Sequence, residues 1–247
     1  MAGHSKWANI KHRKGAQDAK RAKMFSRISK EITIAVKESG EDIESNPRLR
    51  LAIQNAKGVN MPKDNIERAI SRATTDEATL EEATFEGYSP GGVAIFVECL
   101  TDNNNRTVSS IRSIFNKYGG SLGKNGSLSF IFDTKGVFTI KRKEDLDMDE
   151  FELEVIDAGA EDIDLDDDLI TITTAKEDFG NMQKKLDEMG IEAENAGLQR
   201  LPNNTKELGV DDAMKVLKMI EVFEDDDDVQ NVYHNMELTE DIEKAMQ

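Results

Sequence analysis

The stretch Gly91–Phe132, GGVAIFVECLTDNNNRTVSSIRSIFNKYGGSLGKNGSLSFIF, decides the fold. Gly91-Gly92 opens it, and Val93–Leu100 follows as an apolar run interrupted once, at Glu98. A run of that length, rich in β-branched and aromatic residues, reads as a strand buried in a sheet. Asp102–Arg106 is a polar turn. Val108, Ile111, Phe115 and Tyr118 then recur on one face of a helix, and Gly119-Gly120 stops it. Leu128, Phe130 and Phe132 alternate, which predicts a strand with one buried face. The whole is a β-α-β unit, too small to bury a core alone.

Outward from this unit, the remaining elements sort by their periods. Toward the C-terminus, Gly136–Ile140 reads as a strand. Met148, Phe151 and Val155 mark a helix, Ile163–Leu165 and Leu169–Thr173 a pair of strands. Phe179, Met182, Leu186 and Met189 mark another helix, and Ile191–Leu201 is extended. That order is β-α-β-β-α-β, the split-βαβ arrangement, which closes as its own domain. Beyond it, Ala213, Leu217, Ile220 and Phe223 form a last helix and Val229–Met236 a last strand. These return to complete the unit that began the argument. Toward the N-terminus the pattern is helical from about Gly15 to Ser39, with Phe25, Ile28, Ile32 and Val36 on one face. A second helix starts at Asn46-Pro47, Asn as cap and Pro in the first turn, and a third at Pro62. The fold class is therefore α+β multidomain. A small all-helical domain, residues 1–78, precedes two α/β (ferredoxin-like, split βαβ) domains. The middle one is discontinuous, 79–133 plus 205–240, and 134–204 is inserted into it.

Charge separates along the chain. The 247 residues carry 32 basic and 49 acidic side chains, a net −17. Residues 1–30 hold nine of the bases and one acid, Asp18, leaving 23 bases and 48 acids for the other 217 residues. A +8 end on a −25 body points to nucleic acid or an anionic membrane surface, met by the basic end only. No apolar run approaches the roughly 18 residues of a membrane span, and the start lacks the apolar core of a signal peptide. The single cysteine, Cys99, leaves no internal disulfide, fits a reducing compartment and sits in the apolar run as a small hydrophobe. A cytoplasmic protein is the expectation.

The N-terminal arm carries the strongest chemistry. His4, Lys6, Trp7, Lys11, His12, Arg13 and Lys14 mix cations with imidazoles and the chain's one tryptophan. Lysine and arginine neutralise phosphate, and the rings can stack on unpaired bases. Lys20, Lys23, Arg27 and Lys30 share a helix face roughly opposite the apolar one. Against these stands a plain solvated basic tail with Trp7 in the core. A second signal is TDNNNRT, Thr101–Thr107, which opens a helix where free N–H groups favour an anion. Arg106 and Thr107 would add donors, although simple capping by Asn or Asp is the commoner use. A third is GGSLGKNGS, Gly119–Ser127. It fails as a phosphate loop of nucleotide hydrolases. Its spacing is one residue short, Asn125 stands where Ser or Thr is required, and it leaves a helix rather than entering one. Lys124 remains a candidate contact to nucleic-acid phosphate.

Other patterns carry no chemistry. Asp164, Asp166 and Asp168 imitate a calcium loop, but Leu169 occupies the glycine position and Ala175 the bidentate glutamate position. The histidines and Cys99 lack metal-site spacing. No nucleophile-base pair stands out, so no catalytic residue, metal or cofactor is expected.

MAGHSKWANIKHRKGAQDAKRAKMFSRISKEI, NPRLRLAIQNAKGVNMPKDNIERAI, EGYSPGGVAIFVECLTDNNNRT and DVQNVYHN resemble the YebC family over essentially the whole chain. Ser89 stands where glycine or alanine is the family pattern. The resemblance implies three domains, a helical one and two α/β ones. It implies either a DNA-binding transcriptional regulator, the usual label of the bacterial members, or a translation factor. The second comes from relatives such as the mitochondrial translational activator of cytochrome c oxidase, which point to the ribosome and to relief of stalling on proline-rich stretches. The residues lean toward RNA. No recognition helix with base-reading side chains stands out, and a Lys/His/Trp arm suits unpaired RNA. The expected partner is nucleic acid, ribosomal RNA or DNA, with the ribosome as the setting, no membrane, and a monomer favoured. A protein-interaction module acting through the acidic domains is the third option.

Overall fold

The computed structural model describes residues 18–75, 79–143, 146–166 and 168–246, with residues 18–20 as backbone only. The described residues divide into two compact units, with 18–23, 79–133 and 201–246 in the first and 24–75 and the described part of 134–200 in the second.

The first unit is built on the sheet β3-β1-β2-β8. Its strands are β1 (Glu81–Tyr88), β2 (Ala94–Thr101), β3 (Ser121–Leu122) and, after the other unit's segment, β8 (Val229–His234). All three pairings are antiparallel. Helices α4 (Asn104–Lys117) and α7 (Val210–Asp225) cover one face. Val93, Ile95, Val97 and Cys99 point into that core, where Ile111 and Phe115 of α4 meet Leu217, Ile220 and Phe223 of α7. The rings of Phe115 and Phe223 lie 4.9 Å apart and tilted. The alternate residues Ala94 and Phe96 face the other way, onto Leu128, Ile131, Phe132 and Tyr233. Strand β2 is therefore buried on both faces, which is why its sequence is a continuous apolar run and not an alternating one. A short last helix, α8 (Glu240–Ala245), places Ile242 in the same core.

Two features depart from the sequence reading. Strand β1 is one that the residue pattern does not announce. It forms a hairpin with β2 across Ser89–Gly92, closed by Ser89 N–H donating to the Val93 carbonyl at 2.9 Å. Leu128–Ile131 is not a strand, and Phe132 begins the next one. Residues 125–131 are successive turns, Leu128 and Ile131 point inward, and Phe130 points out. The strand that follows the glycine-rich region, β4 (Phe132–Lys141), runs into the second sheet.

The second unit combines helices α1 (Asp18–Ser39, from Met24 onward), α2 (Pro47–Gly58) and α3 (Lys63–Thr75) with the sheet β5-β6-β4-β7. Ile32, Val36, Leu49, Ala52, Ile66 and Ala69 make the helical core. Asn46 does two jobs there. Its Oδ1 accepts from Leu49 N–H at 3.0 Å, and its Nδ2 donates to the carbonyls of Ala35 and Gly40 at 2.7 and 2.8 Å. It thus caps α2 and ties it to the end of α1. The strands are β5 (Ala160–Asp166), β6 (Leu169–Ala175), β4 and β7 (Asn195–Pro202), with helices α5 (Met148–Asp157) and α6 (Phe179–Glu188). β5 and β6 form a hairpin, and β4 pairs antiparallel with β6. Phe138, Ile140, Ile170 and Ile172 of the sheet bury Phe151, Val155, Met182 and Leu186 of the helices. Helix α2 docks beside β7 through a reciprocal pair, Asn55 Nδ2 to the Ala196 carbonyl and Ala196 N–H to Asn55 Oδ1, both 2.9 Å. Gly58 is required by this approach, since a Cβ there would lie 1.8 Å from the Glu194 carbonyl oxygen.

Candidate nucleic-acid interface

His4, Lys6, Trp7, Lys11, His12, Arg13 and Lys14 lie outside the described residues, and Lys20 is described by its helical backbone alone. The remainder of the basic helix face is less open than a helical wheel suggests. Lys23 is three-quarters buried. It pairs with the Asp225 carboxylate at 3.1 Å and donates to the Asp225 carbonyl. This carbonyl ends α7, so the cation sits where the helix dipole is negative. Arg27 and Lys30 are half-buried, while Phe25, Ile28 and Ile32 face the helical core.

The opening of α4 is capped from within. Asn103 Oδ1 accepts from Arg106 N–H at 3.1 Å, and Asn103 N–H donates to Thr101 Oγ1 at 2.9 Å. Arg106 and Thr107, which the sequence offers to an external anion, turn instead to Asp228. The guanidinium donates to both Asp228 oxygens at 2.8 and 3.0 Å and to Asp102 at 2.9 Å. Thr107 is fully buried, its hydroxyl between Thr101 at 2.7 Å and Asp228 at 2.9 Å. The hydrogen bond to Asp228 first, and that to Asp102 next, hold the arginine pKa above its ordinary value. A buried carboxylate thus takes the Thr107 hydroxyl and one nitrogen of Arg106, whose side chain stays about half exposed, and the segment caps its own helix. The sequence carries no sign of it, because Asp228 lies 122 residues from Arg106.

Lys124 behaves differently. It is exposed on the loop between β3 and β4, and that loop is built from below by Glu86. Glu86 is 4 % exposed. Its carboxyl oxygens accept from Gly126 N–H and Leu128 N–H, each at 2.6 Å, and from the Ser127 hydroxyl at 3.3 Å, while its backbone carbonyl accepts from Gly123 N–H at 2.7 Å. Gly126 has φ +86°, a conformation that disfavours other residues. A cleft of about 670 Å³ lies between this loop, β1 and the start of α4, its lining including Glu82, Thr84, Phe85, Asn104, Lys124 and Asn125. The two segments that read as separate signals thus border one surface. Sequence reasoning missed Glu86 and Phe130. The one available signal for Phe130 was Ile131 beside it, which breaks the alternation a one-faced strand requires.

Among the described residues, no group of three or more His, Cys, Asp or Glu side chains is placed to hold a metal ion, and no helix is long and apolar enough to cross a membrane.

Comparison with known proteins covers nearly the whole chain. Residues 5–76 match the family model described as the TACO1/YebC protein N-terminal domain, and residues 80–236 match the TACO1/YebC second and third domain. A protein of Amoebophilus asiaticus is 56 % identical over 96 % of this chain and 98 % of its own length. One of Thermotoga maritima is 50 % identical over 96 % of this chain and 94 % of its own. Both are named probable transcriptional regulatory proteins. A crystal structure of a conserved hypothetical protein from Aquifex aeolicus superposes with a TM-score of 0.81 at 39 % identity, covering 90 % of this chain and 93 % of that one.

Proposed function

The chain belongs to the TACO1/YebC family, and from that premise we propose that it regulates gene expression by binding nucleic acid through its basic N-terminal segment, with ribosomal RNA as target and translation as the process. The names of its relatives support a regulatory role. The observation that carries the nucleic-acid reading is the charge separation, nine bases against one acid in residues 1–30 on a body with 48 acids and 23 bases. Such a body repels a polyanion everywhere except at the basic end. RNA is favoured because Trp7, His4 and His12 stand among those cations, and rings stack on unpaired bases rather than on a closed duplex. On this reading the protein acts at the ribosome to relieve stalling on proline-rich stretches, the role the family resemblance implies.

The relatives' names favour a second reading, a DNA-binding regulator of transcription. Crosslinking in cells followed by sequencing of the recovered nucleic acid separates the two. Enrichment of ribosomal RNA supports the translational reading, and enrichment of promoter DNA replaces it with the transcriptional one.

A further inference from the structure

We infer that the loop Gly123–Ile131 is a preformed platform for an unpaired nucleotide, with Phe130 stacking on the base and Lys124 meeting a phosphate. The inference rests on the nucleic-acid reading above and adds to it a second binding element, remote in sequence from the basic segment.

Phe130 is 69 % exposed, while its neighbours Leu128, Ile131 and Phe132 are 0 %, 6 % and 5 % exposed. Single exposed apolar side chains are common on protein surfaces. What distinguishes this one is the backbone beneath it. Glu86 holds Gly126 and Leu128 from below. The Gly126 carbonyl accepts from the Ser129 hydroxyl at 2.9 Å, and the Leu128 carbonyl from Ile131 N–H at 2.9 Å. Asn203 N–H donates to the Ile131 carbonyl at 2.8 Å. The aromatic ring is therefore carried into solvent by a chain segment fixed on both sides. Ordering that a ligand would otherwise have to induce is already present, which favours binding.

The chemistry of the loop selects the ligand. Residues 119–132 contain one cation, Lys124, and no acid, within a body where acids outnumber bases two to one. Beneath the loop, Glu86 is buried and occupied by the loop's own donors; of the acids at its margins, Asp133 accepts from Asn203 Nδ2 at 3.3 Å and Glu82 lines the cleft. Phe130 is the one large apolar side chain that the loop exposes. A stable protein interface needs roughly 800 Å² on each partner around an apolar centre, which a single ring among Gly, Ser and Asn does not supply. A base needs one aromatic ring, and stacking is sequence-tolerant. Unpaired RNA and single-stranded DNA share this chemistry, so both enter the test.

The full-length protein is titrated with a single-stranded RNA of about ten nucleotides carrying one 2-aminopurine, the same sequence as DNA, and a blunt duplex. Phe130→Ala is expected to weaken binding to the single strands by about five- to a hundredfold and to reduce 2-aminopurine quenching, with duplex affinity and melting temperature unchanged. Phe130→Tyr keeps the ring and is expected to bind like wild type, and Lys124→Ala to weaken binding in low salt but not in high. A loss on RNA alone assigns the platform to RNA, and an equal loss on both strands to the base itself. Wild-type affinity and quenching in Phe130→Ala overturn the inference, as does an equal loss on the duplex. A wild-type protein that binds none of the three probes overturns the nucleic-acid reading instead.

Discussion

Replacing Glu86 by alanine tests whether the Lys124 loop is held from within. Two short hydrogen bonds end on its carboxyl oxygens, from Gly126 and Leu128 N–H at 2.6 Å, and a longer one comes from Ser127. Leu128 N–H is buried, so without Glu86 it has no access to water. An orphaned buried donor costs about 1–3 kcal/mol. Gly126 N–H is part-buried and recovers water, which limits its loss to about 0.5–1.5 kcal/mol. Removing one buried methylene adds roughly 0.8 kcal/mol. The sum is about 2–5 kcal/mol, a large share of the roughly 5–15 kcal/mol that holds a domain together. Glu86→Gln keeps the methylenes and one acceptor, but turns an amide donor toward the second N–H. It should cost about half as much. Urea midpoints of the two variants measure the total. Amide hydrogen exchange at Gly126 and Leu128 measures it locally, and protection there should fall first. A Glu86→Ala protein with a wild-type midpoint and unchanged exchange at both amides would show that the loop holds its shape without Glu86.

Changing Lys20, Lys23, Arg27 and Lys30 together to alanine should flatten the log–log salt dependence of single-strand binding by about 0.7 for each phosphate no longer neutralised. Lys23 contributes only after its pair with Asp225 breaks, and a slope equal to wild type would remove this face from the interface. A chain ending after Leu208 lacks Leu217, Ile220 and Phe223 of α7 and Val229 and Val232 of β8, each worth about 1.5–3 kcal/mol. It should not fold, and a soluble product that melts like the full chain would show that residues 79–133 form a domain unaided. Trp7→Ala should weaken RNA binding by about 1–3 kcal/mol and duplex DNA binding little, and strong quenching of the lone tryptophan by RNA should accompany this. Equal behaviour on both nucleic acids would favour the transcriptional reading.

Much of the scaffold is legible in the sequence because it depends on local periods. The helical faces of α1 and α7, the Asn46-Pro47 start of α2, the apolar run of β2 and the β5–β6 hairpin follow from side chains a few residues apart. The same locality explains the misses. β1 has charged and half-exposed residues at its start, with burial concentrated in Phe85–Gly87, so neither period is sustained. Phe130 reads as a strand residue until the turns of residues 125–131 are seen. Spacing identifies the basic helix face, but not the fact that Asp225 occupies Lys23.

What the sequence determined by itself is the charge separation, most of the element types and the family, since each is a property of neighbouring residues or of composition. What only the tertiary structure decided is which polar groups are already spent. Arg106 and Thr107 have the chemistry of an anion site, yet Asp228 engages one Arg106 nitrogen and the buried Thr107 hydroxyl from 122 and 121 residues away. Glu86 looks like one more surface acid, yet its partners 40 and 42 residues downstream make it the buried support of a loop. Gly58 looks like a helix stop, yet the Glu194 carbonyl leaves no room there for a Cβ. In each case the deciding atom comes from a segment remote in the chain, and hydrogen bonds and contacts fall off within a few ångströms, so only the folded arrangement determines which side chains remain available to a ligand.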